Sequence, residues 1–131
     1  MPIVTASNCL SRKWGKTLER ILVTGAAGFI GFHLSRALLE RDYEVAGIDN
    51  LNDYYSVRLK EDRLAQLRDY PHFHFRQLDV AERPAVQELF QGLRGCAVIH
   101  LAAQAGVRHS LDNPAAYIDS NLLGTMTVLE G

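Results

Sequence analysis

From Arg20 to Gly31 the chain reads Arg-Ile-Leu-Val-Thr-Gly-Ala-Ala-Gly-Phe-Ile-Gly, an unbroken apolar run that ends in glycines at positions 25, 28 and 31. Ile21, Leu22 and Val23 suit a strand buried on both faces of a parallel sheet, because no polar residue interrupts them. The glycines then leave a turn and the start of a helix free of Cβ atoms. A diphosphate can approach there, meeting unpaired backbone N–H groups and the positive end of a helix dipole. Gly25 would make the tight turn, Gly28 the close approach, and Gly31 the contact between helix and strand. Spaced glycines also mark ordinary turns, so context decides.

That context is a second apolar stretch, Glu44-Val-Ala-Gly-Ile, which ends in Asp49, 18 residues beyond Gly31 and 24 beyond Gly25. A carboxylate at the tip of the neighbouring strand can accept hydrogen bonds from both hydroxyls of an adenosine ribose. Ala26 and Ala27 put no cation into the glycine turn, and no Lys or Arg follows Asp49 before Arg58. NAD rather than NADP is therefore the expected dinucleotide.

The remaining periodicity supplies a fold. Ile30, Leu34, Ala37 and Leu38 recur at helical spacing, which predicts a first helix running to Arg41 with those residues inward. Residues 50–56 form a polar and aromatic loop, where Tyr54 and Tyr55 either border an adenosine or pack on the next helix. That helix, 57–67, would bury Leu59, Leu64 and Leu67. Residues 73–78 alternate as a half-exposed edge strand ending at Asp79. Pro84 suits the first turn of a helix burying Val86, Leu89 and Phe90, with Gly92 and Gly95 closing it. Cys96 opens a short apolar strand whose carboxyl end, Ala102 and Ala103, has little side chain to obstruct a ligand. Asn113 followed by Pro114 is a cap and first-position pair, and the helix it starts can reach Glu130. Ile118, Leu122, Thr125 and Leu129 would share its buried face, and Gly124 would permit close contact. Strands alternating with helices predict an α/β fold, a Rossmann-type parallel sheet of order 3-2-1-4 with helices on both faces.

The string Thr24-Gly-Ala-Ala-Gly-Phe-Ile-Gly31 resembles the TGxxGFIG signature of the extended short-chain dehydrogenase/reductases, the NAD-dependent epimerase/dehydratase family. The likeness continues through Asp49-Asn-Leu-Asn-Asp-Tyr-Tyr55, Leu78-Asp79, His100-Leu-Ala-Ala-Gln-Ala-Gly-Val-Arg108, Asn113-Pro114 and Asn121-Leu-Leu-Gly-Thr125. Within the family these strings are most similar to UDP-glucuronate 4-epimerases. The resemblance implies a cofactor site of Gly25, Ala27, Gly28, Phe29, Ile30 and Gly31 in the glycine turn and of Asp49, Asn50, Leu51 and Asn52 after the second strand. It adds Asp79 and the backbone of Val80 at the adenine, although Asp79 could instead cap the next turn. Leu101, Ala102 and Ala103 would lie against the nicotinamide ribose and diphosphate, with Gln104 at the mouth of the substrate cleft. Ser120 stands where related epimerases contact the cofactor, many of them through Asn. Arg108 is either a sugar or diphosphate contact or a solvent-facing cation. Ala105 replaces a Lys frequent in UDP-galactose 4-epimerases, and His109 replaces a frequent Tyr.

The implied reaction is 4-epimerisation of UDP-glucuronate or a similar UDP-sugar, by transient oxidation at C4 and return of the hydride. A nucleotide-sugar 4,6-dehydratase shares the same first half, and a non-catalytic dinucleotide-binding regulator would use the same glycine turn. The family's catalytic Tyr-x-x-x-Lys pair is missing from this sequence. Four residues after Tyr43, Tyr54, Tyr55, Tyr70 and Tyr117 come Gly47, Arg58, Leu59, His74 and Asn121. Residues 19–131 are thus expected to be the N-terminal part of an NAD-binding domain, inactive alone, with no catalytic residue in this chain and a homodimer when complete. The fourth strand would then be an edge, inviting self-association.

A chain of 131 residues, 47% hydrophobic, accommodates one domain with a core. Its net charge of −1 suggests neither a nucleic-acid nor a membrane partner. Cys9 and Cys96 form no disulfide framework, so a cytoplasmic setting is expected. His72 and His74 lack companions at zinc spacing, and no metal is expected. Residues 1–18, with Arg12, Lys13, Lys16 and Trp14, lack the apolar core of a secretory signal and read as a flexible or loosely docked extension, with an organellar presequence as the alternative.

Overall fold

The structure, a computed structural model, describes residues 19–131. The expectations for residues 1–18, Trp14 and Cys9 among them, lie outside the described residues. Four parallel strands, β1 (Arg20–Thr24), β2 (Glu44–Asp49), β3 (Phe73–Gln77) and β4 (Ala97–His100), form one sheet in the order β3-β2-β1-β4. Reversing the chain's direction of travel after β3 opens a crevice above the carboxyl ends of β1 and β4, the switch point where such sheets receive ligands.

Alternation along β1 divides the core. Ile21 and Val23 face one side with Phe32 and Leu39 of helix α1 (Phe29–Leu39) and Leu64 and Leu67 of α2 (Val57–Arg68). Leu22 faces the other side with Ala46, Ile48, Val86 of α3 (Arg83–Gly92) and Val128 of the last helix. Leu22 and Val23 are completely buried, as expected of a strand covered on both faces. Gly47 stays small for packing: a Cβ there would stand 2.9 Å from the Ala26 Cβ and 3.0 Å from the Phe73 ring.

Three helical faces differ from their sequence expectation. In α1 the buried residues are Gly31, Phe32, Ser35 and Leu39, while Ile30 is 66% exposed and Leu34 and Leu38 pack at the margin. The helix meets the sheet with Gly31, Phe32, Ser35 and Leu39, while Phe29 and Ile30 at its start are exposed. In α2 Leu59 faces out and Lys60 faces in. The helix after Asn113 starts as expected, with the Asn113 side chain accepting a hydrogen bond from the Ala116 N–H at 3.3 Å. It continues as α5 (Pro114–Tyr117), a π-helical stretch (Ile118–Leu123) and α6 (Gly124–Glu130), after a short α4 (Val107–Asp112) that the sequence pattern did not announce. The π stretch resets the helical phase, so Gly124, Thr127 and Val128 are buried, whereas Ile118, Leu122 and Leu129 are exposed. Gly124 lies against Val80, whose side chain a Cβ would strike at 2.5 Å.

The edge position of β4 is as expected: it pairs only with β1 among the described residues, and Val98 is exposed. Cys96, partly buried at its start, has its thiol pKa pushed up by burial. No described helix is long and apolar enough to cross a membrane, and no described cluster of His, Cys, Asp and Glu could hold a metal.

Candidate functional site

Strand β1 ends in Thr24, and Gly25 then turns the chain with a φ of 71°, in the region that favours glycine. The turn is pressed against the end of β4: a Cβ on Gly25 would stand 3.0 Å from both the Ala102 nitrogen and the Leu101 carbonyl carbon. Gly31, one helical turn on, backs onto the same loop, where a Cβ would overlap the Gly25 carbonyl oxygen. Its contact is thus with the turn that ends the strand. Gly28 caps α1 without any side-chain hydrogen bond, and no acidic residue occupies the helix's first turn. The amino end of α1 therefore keeps its N–H groups and positive dipole for an outside oxygen. These residues fit a dinucleotide diphosphate, since glycine at 25 and 31 lets the turn close on β4 and on the helix, and the amino end of α1 carries neither a side-chain cap nor an acid.

Asp49, at the tip of β2, is buried and faces this turn. Its Oδ2 accepts from the Ala27 N–H at 3.2 Å and its Oδ1 from the Leu51 N–H at 2.9 Å. Each carboxylate oxygen retains a lone pair for a ligand hydroxyl. Leu51, with a φ of 55°, bends the chain so that Asn50 and Asn52 follow into the site. Asn50 donates to Asp79 Oδ2 at 2.9 Å, and Asp79 Oδ1 accepts from the Ala81 N–H at 2.9 Å. Asp79 thus closes the turn after β3 and aligns Asn50 above it.

The opposite wall is set by a determined chain of hydrogen bonds. Thr24 Oγ1 accepts from the N–H groups of Leu101 and Ala102, at 2.9 and 3.0 Å, leaving its own proton for His100 Nδ1 at 2.7 Å. Thr125 gives its hydroxyl proton to the Asn121 carbonyl at 2.8 Å, so it accepts from His100 Nε2 at 3.2 Å. His100 is therefore the neutral Nε2–H tautomer, and burial lowers its pKa. The arrangement fixes Leu101 and Ala102 beside Gly25.

Between these walls lies a cleft of about 170 Å³, bordered by Gly25, Gly28, Asp49, Asn50 and Asn52 on one side. Val80, Leu101, Ala102, Ala103, Gln104 and Ser120 are among the residues that line the rest, Ser120 entering from the π-helical stretch. A second hollow, about 350 Å³, lies under α3 and reaches Arg20 and Glu44, the first residues of β1 and β2. Topology outweighs volume here, because ligands of such sheets bind at the carboxyl ends of strands. Phe29 and Ile30 are exposed at the start of α1 and do not line the cleft. Arg108 is exposed on α4, also outside the lining.

Two residues of α2 escaped the sequence pattern. Lys60 is 4% exposed and donates from Nζ to the Asn52 carbonyl and side-chain oxygens, at 2.8 and 2.7 Å. Arg63 donates to the Ala27 carbonyl at 3.2 Å and to the Tyr55 hydroxyl at 3.1 Å. A cation does reach the rim of the glycine turn, from the following helix rather than from within the turn or the loop. Asn52 in turn donates to Gln104 Oε1 at 3.2 Å, strapping the loop across the cleft. Gln104, expected at a cleft mouth, is buried and held through its backbone by Asn121, its N–H donating to Asn121 Oδ1 at 2.8 Å. Tyr54 and Tyr55 border the cleft and pack as well: Tyr55 lies under Lys60 and Arg63, and the Tyr54 hydroxyl abuts Gly106.

A parallel sheet of this order, with a glycine turn at the switch point and an acid at the tip of the neighbouring strand, defines a Rossmann-type dinucleotide-binding unit. Residues 22–131 match the family model described as GDP-mannose 4,6 dehydratase, and the chain belongs to that family, within the NAD-dependent epimerase/dehydratase group. It is 50% identical over 109 residues to UDP-glucuronate 4-epimerase of Thermodesulfobacterium geofontis, covering 83% of this chain and 34% of that protein. It is 46% identical over 111 residues to protein CapI of Staphylococcus aureus, covering 85% of this chain and 33% of the other. A solved structure of UDP-glucuronic acid 4-epimerase from Bacillus cereus, in complex with UDP-glucuronic acid and NAD, is similar with a TM-score of 0.75 and 37% identity. The match covers 85% of this chain and 35% of that chain. This chain thus spans about a third of the length of the relatives it matches.

Proposed function

We propose that this chain is the NAD-binding part of a nucleotide-sugar 4-epimerase acting on UDP-glucuronate or a similar UDP-sugar, working in the cytoplasm as a homodimer. The observation that carries the reading is the Asp49 carboxylate, hydrogen-bonded to the Ala27 N–H inside a side-chain-free turn. An acid so placed receives ribose hydroxyls and repels a 2′-phosphate. The glycine turn and the amino end of α1 would hold the diphosphate, and Asp79 with the backbone of Val80 would border the adenine. Leu101, Ala102 and Ala103 would bring the nicotinamide end toward the substrate, with Ser120 beside it and Arg108 toward the sugar. Bound NAD would supply the hydride acceptor for C4 of the sugar and give the hydride back.

The proton chemistry of that reaction needs a base that this chain does not carry in the family's Tyr-x-x-x-Lys pattern. The chain's own contribution is to bind and orient. Calorimetry of the whole chain should show NAD binding tighter than NADP, with no interconversion of UDP-glucuronate. Tighter binding of NADP, or turnover by the chain alone, would overturn the reading. The 4,6-dehydratase alternative is disfavoured by the 50% identity to a UDP-glucuronate 4-epimerase.

A further inference from the structure

A cleft of about 170 Å³ is too small for a dinucleotide as it stands, since pockets for even drug-sized ligands run to about 300–1,000 Å³. The segment between β2 and α2 narrows it by crossing from one wall to the other. Asn52 donates from Nδ2 to Gln104 Oε1 at 3.2 Å. Two residues on, the Tyr54 hydroxyl rests against Gly106 so closely that a Cβ on that glycine would overlap it. Asn52, Tyr54 and Gln104 all line the cleft.

The two sides of this crossing are held unequally. On the β4 side Asn121 grips the Gln104 backbone twice, accepting from its N–H at 2.8 Å and donating to its carbonyl at 3.0 Å. The Gly106 carbonyl accepts from the Tyr117 hydroxyl and, at 3.2 Å, from the Ser110 N–H. With a φ of 100°, Gly106 sits where an ordinary side chain is strained, and its bare surface receives the tyrosine. On the β2 side residues 53–56 are exposed and belong to no helix or strand. They are anchored at one end by Asn52, which Lys60 holds at 2.8 and 2.7 Å. Ser56 anchors the other end, its hydroxyl accepting from the Leu59 N–H at 3.4 Å to cap α2. Little apolar surface is buried between those anchors, the condition under which a segment opens locally while the rest of the fold stays intact.

We propose that residues 53–55 are a latch: with Tyr54 seated on Gly106 the cleft is closed, and the segment lifts to admit a dinucleotide and settles again behind it. This rests on the reading of the chain as NAD-binding. Such a latch sets the rate of exchange in both directions, whereas a residue that only touches the ligand acts mainly on its departure.

Stopped-flow binding to the whole chain tests this with NADH and etheno-ADP, whose own fluorescence reports their capture. In the unaltered chain the binding rate should level off as ligand concentration rises, at a ceiling common to both ligands, because opening precedes capture. Tyr54→Ala should raise the association and dissociation rates together, each about ten-fold or more, with affinity changed by less than about three-fold. Gly106→Ala, whose Cβ displaces the Tyr54 hydroxyl, should do the same, and the two together no more than either alone. Should Gly106→Ala fail to fold, as circular dichroism would reveal, the ceiling and the change at the exposed Tyr54 still decide. Dissociation that accelerates alone in Tyr54→Ala would overturn the latch by making the tyrosine a plain contact. An unaltered chain that captures neither ligand, and no NAD by calorimetry, would overturn the proposed function together with it. Capture whose rate rises linearly with concentration and ignores Tyr54→Ala would remove only this inference.

Discussion

Thr24 and His100, 76 residues apart in sequence, close the carboxyl ends of β1 and β4 on each other through a 2.7 Å hydrogen bond from Thr24 Oγ1 to His100 Nδ1. The bond needs an unprotonated Nδ1, because the Thr24 oxygen already accepts two backbone N–H groups. Burial holds the folded-state pKa of His100 below the 6.5 of an exposed imidazole. Above that value the ring is neutral in both states and the stabilisation is fully present. As pH falls below about 6.5 the unfolded chain binds a proton first, and stability declines until the folded pKa is passed. Urea unfolding of the chain and of His100→Gln at about pH 7.5 and about pH 5.5 should therefore show the gap between them narrowing at acid pH. A gap that widens would contradict the neutral tautomer.

Gly31→Ala should destabilise the chain by about 1–3 kcal/mol, since the new Cβ meets the Gly25 carbonyl, a backbone atom that cannot swing aside. Gly92→Ala is the control, with nothing within 4 Å of its Cβ position. Chemical denaturation of the two variants tests the difference.

Asp49→Ala removes the acceptor of two backbone N–H groups and, on the proposed function, the ribose contact. The expected outcome is a loss of about 1–3 kcal/mol in stability and a fall of about ten-fold or more in NAD affinity. NADP should suffer less, because the repulsion of its 2′-phosphate goes with the carboxylate. Calorimetry with both dinucleotides reads the ratio, and an unchanged preference would argue against Asp49 as the selector.

Much of this architecture was legible in the chain. The glycine turn, the acid at the tip of β2 and the Asn113 cap follow from local rules, in which a residue's neighbours in sequence decide its role, and the strand order follows from the alternation of strands and helices. Where distant elements decide, the pattern misled. Lys60 and Leu59 exchange faces because the loop before α2 offers Asn52 to an ammonium, a partner 8 positions away whose carbonyl direction no periodicity encodes. Ile118, Leu122 and Leu129 kept ideal helical spacing, but the π-helical stretch altered the phase between them. The strap from Asn52 to Gln104 spans 52 positions and depends on β2 and β4 flanking β1.

Ile118, Leu122 and Met126 are exposed apolar side chains and the outer edge of β4 is unpaired among the described residues, so copies of this chain are expected to associate. Light scattering across a concentration series should give a mass above that of a single chain, and Leu122→Glu combined with Val98→Lys should lower it. A strictly monomeric unaltered chain at all concentrations would count against this.

The most direct measurement is amide chemical-shift mapping of the whole chain as NAD is added. The largest changes should fall at the N–H groups of Gly28, Phe29, Ile30 and Gly31 and at Asp49 to Asn52. Changes confined to the hollow under α3, around Leu89 and Leu93, or the absence of any change at the amino end of α1, would contradict the account.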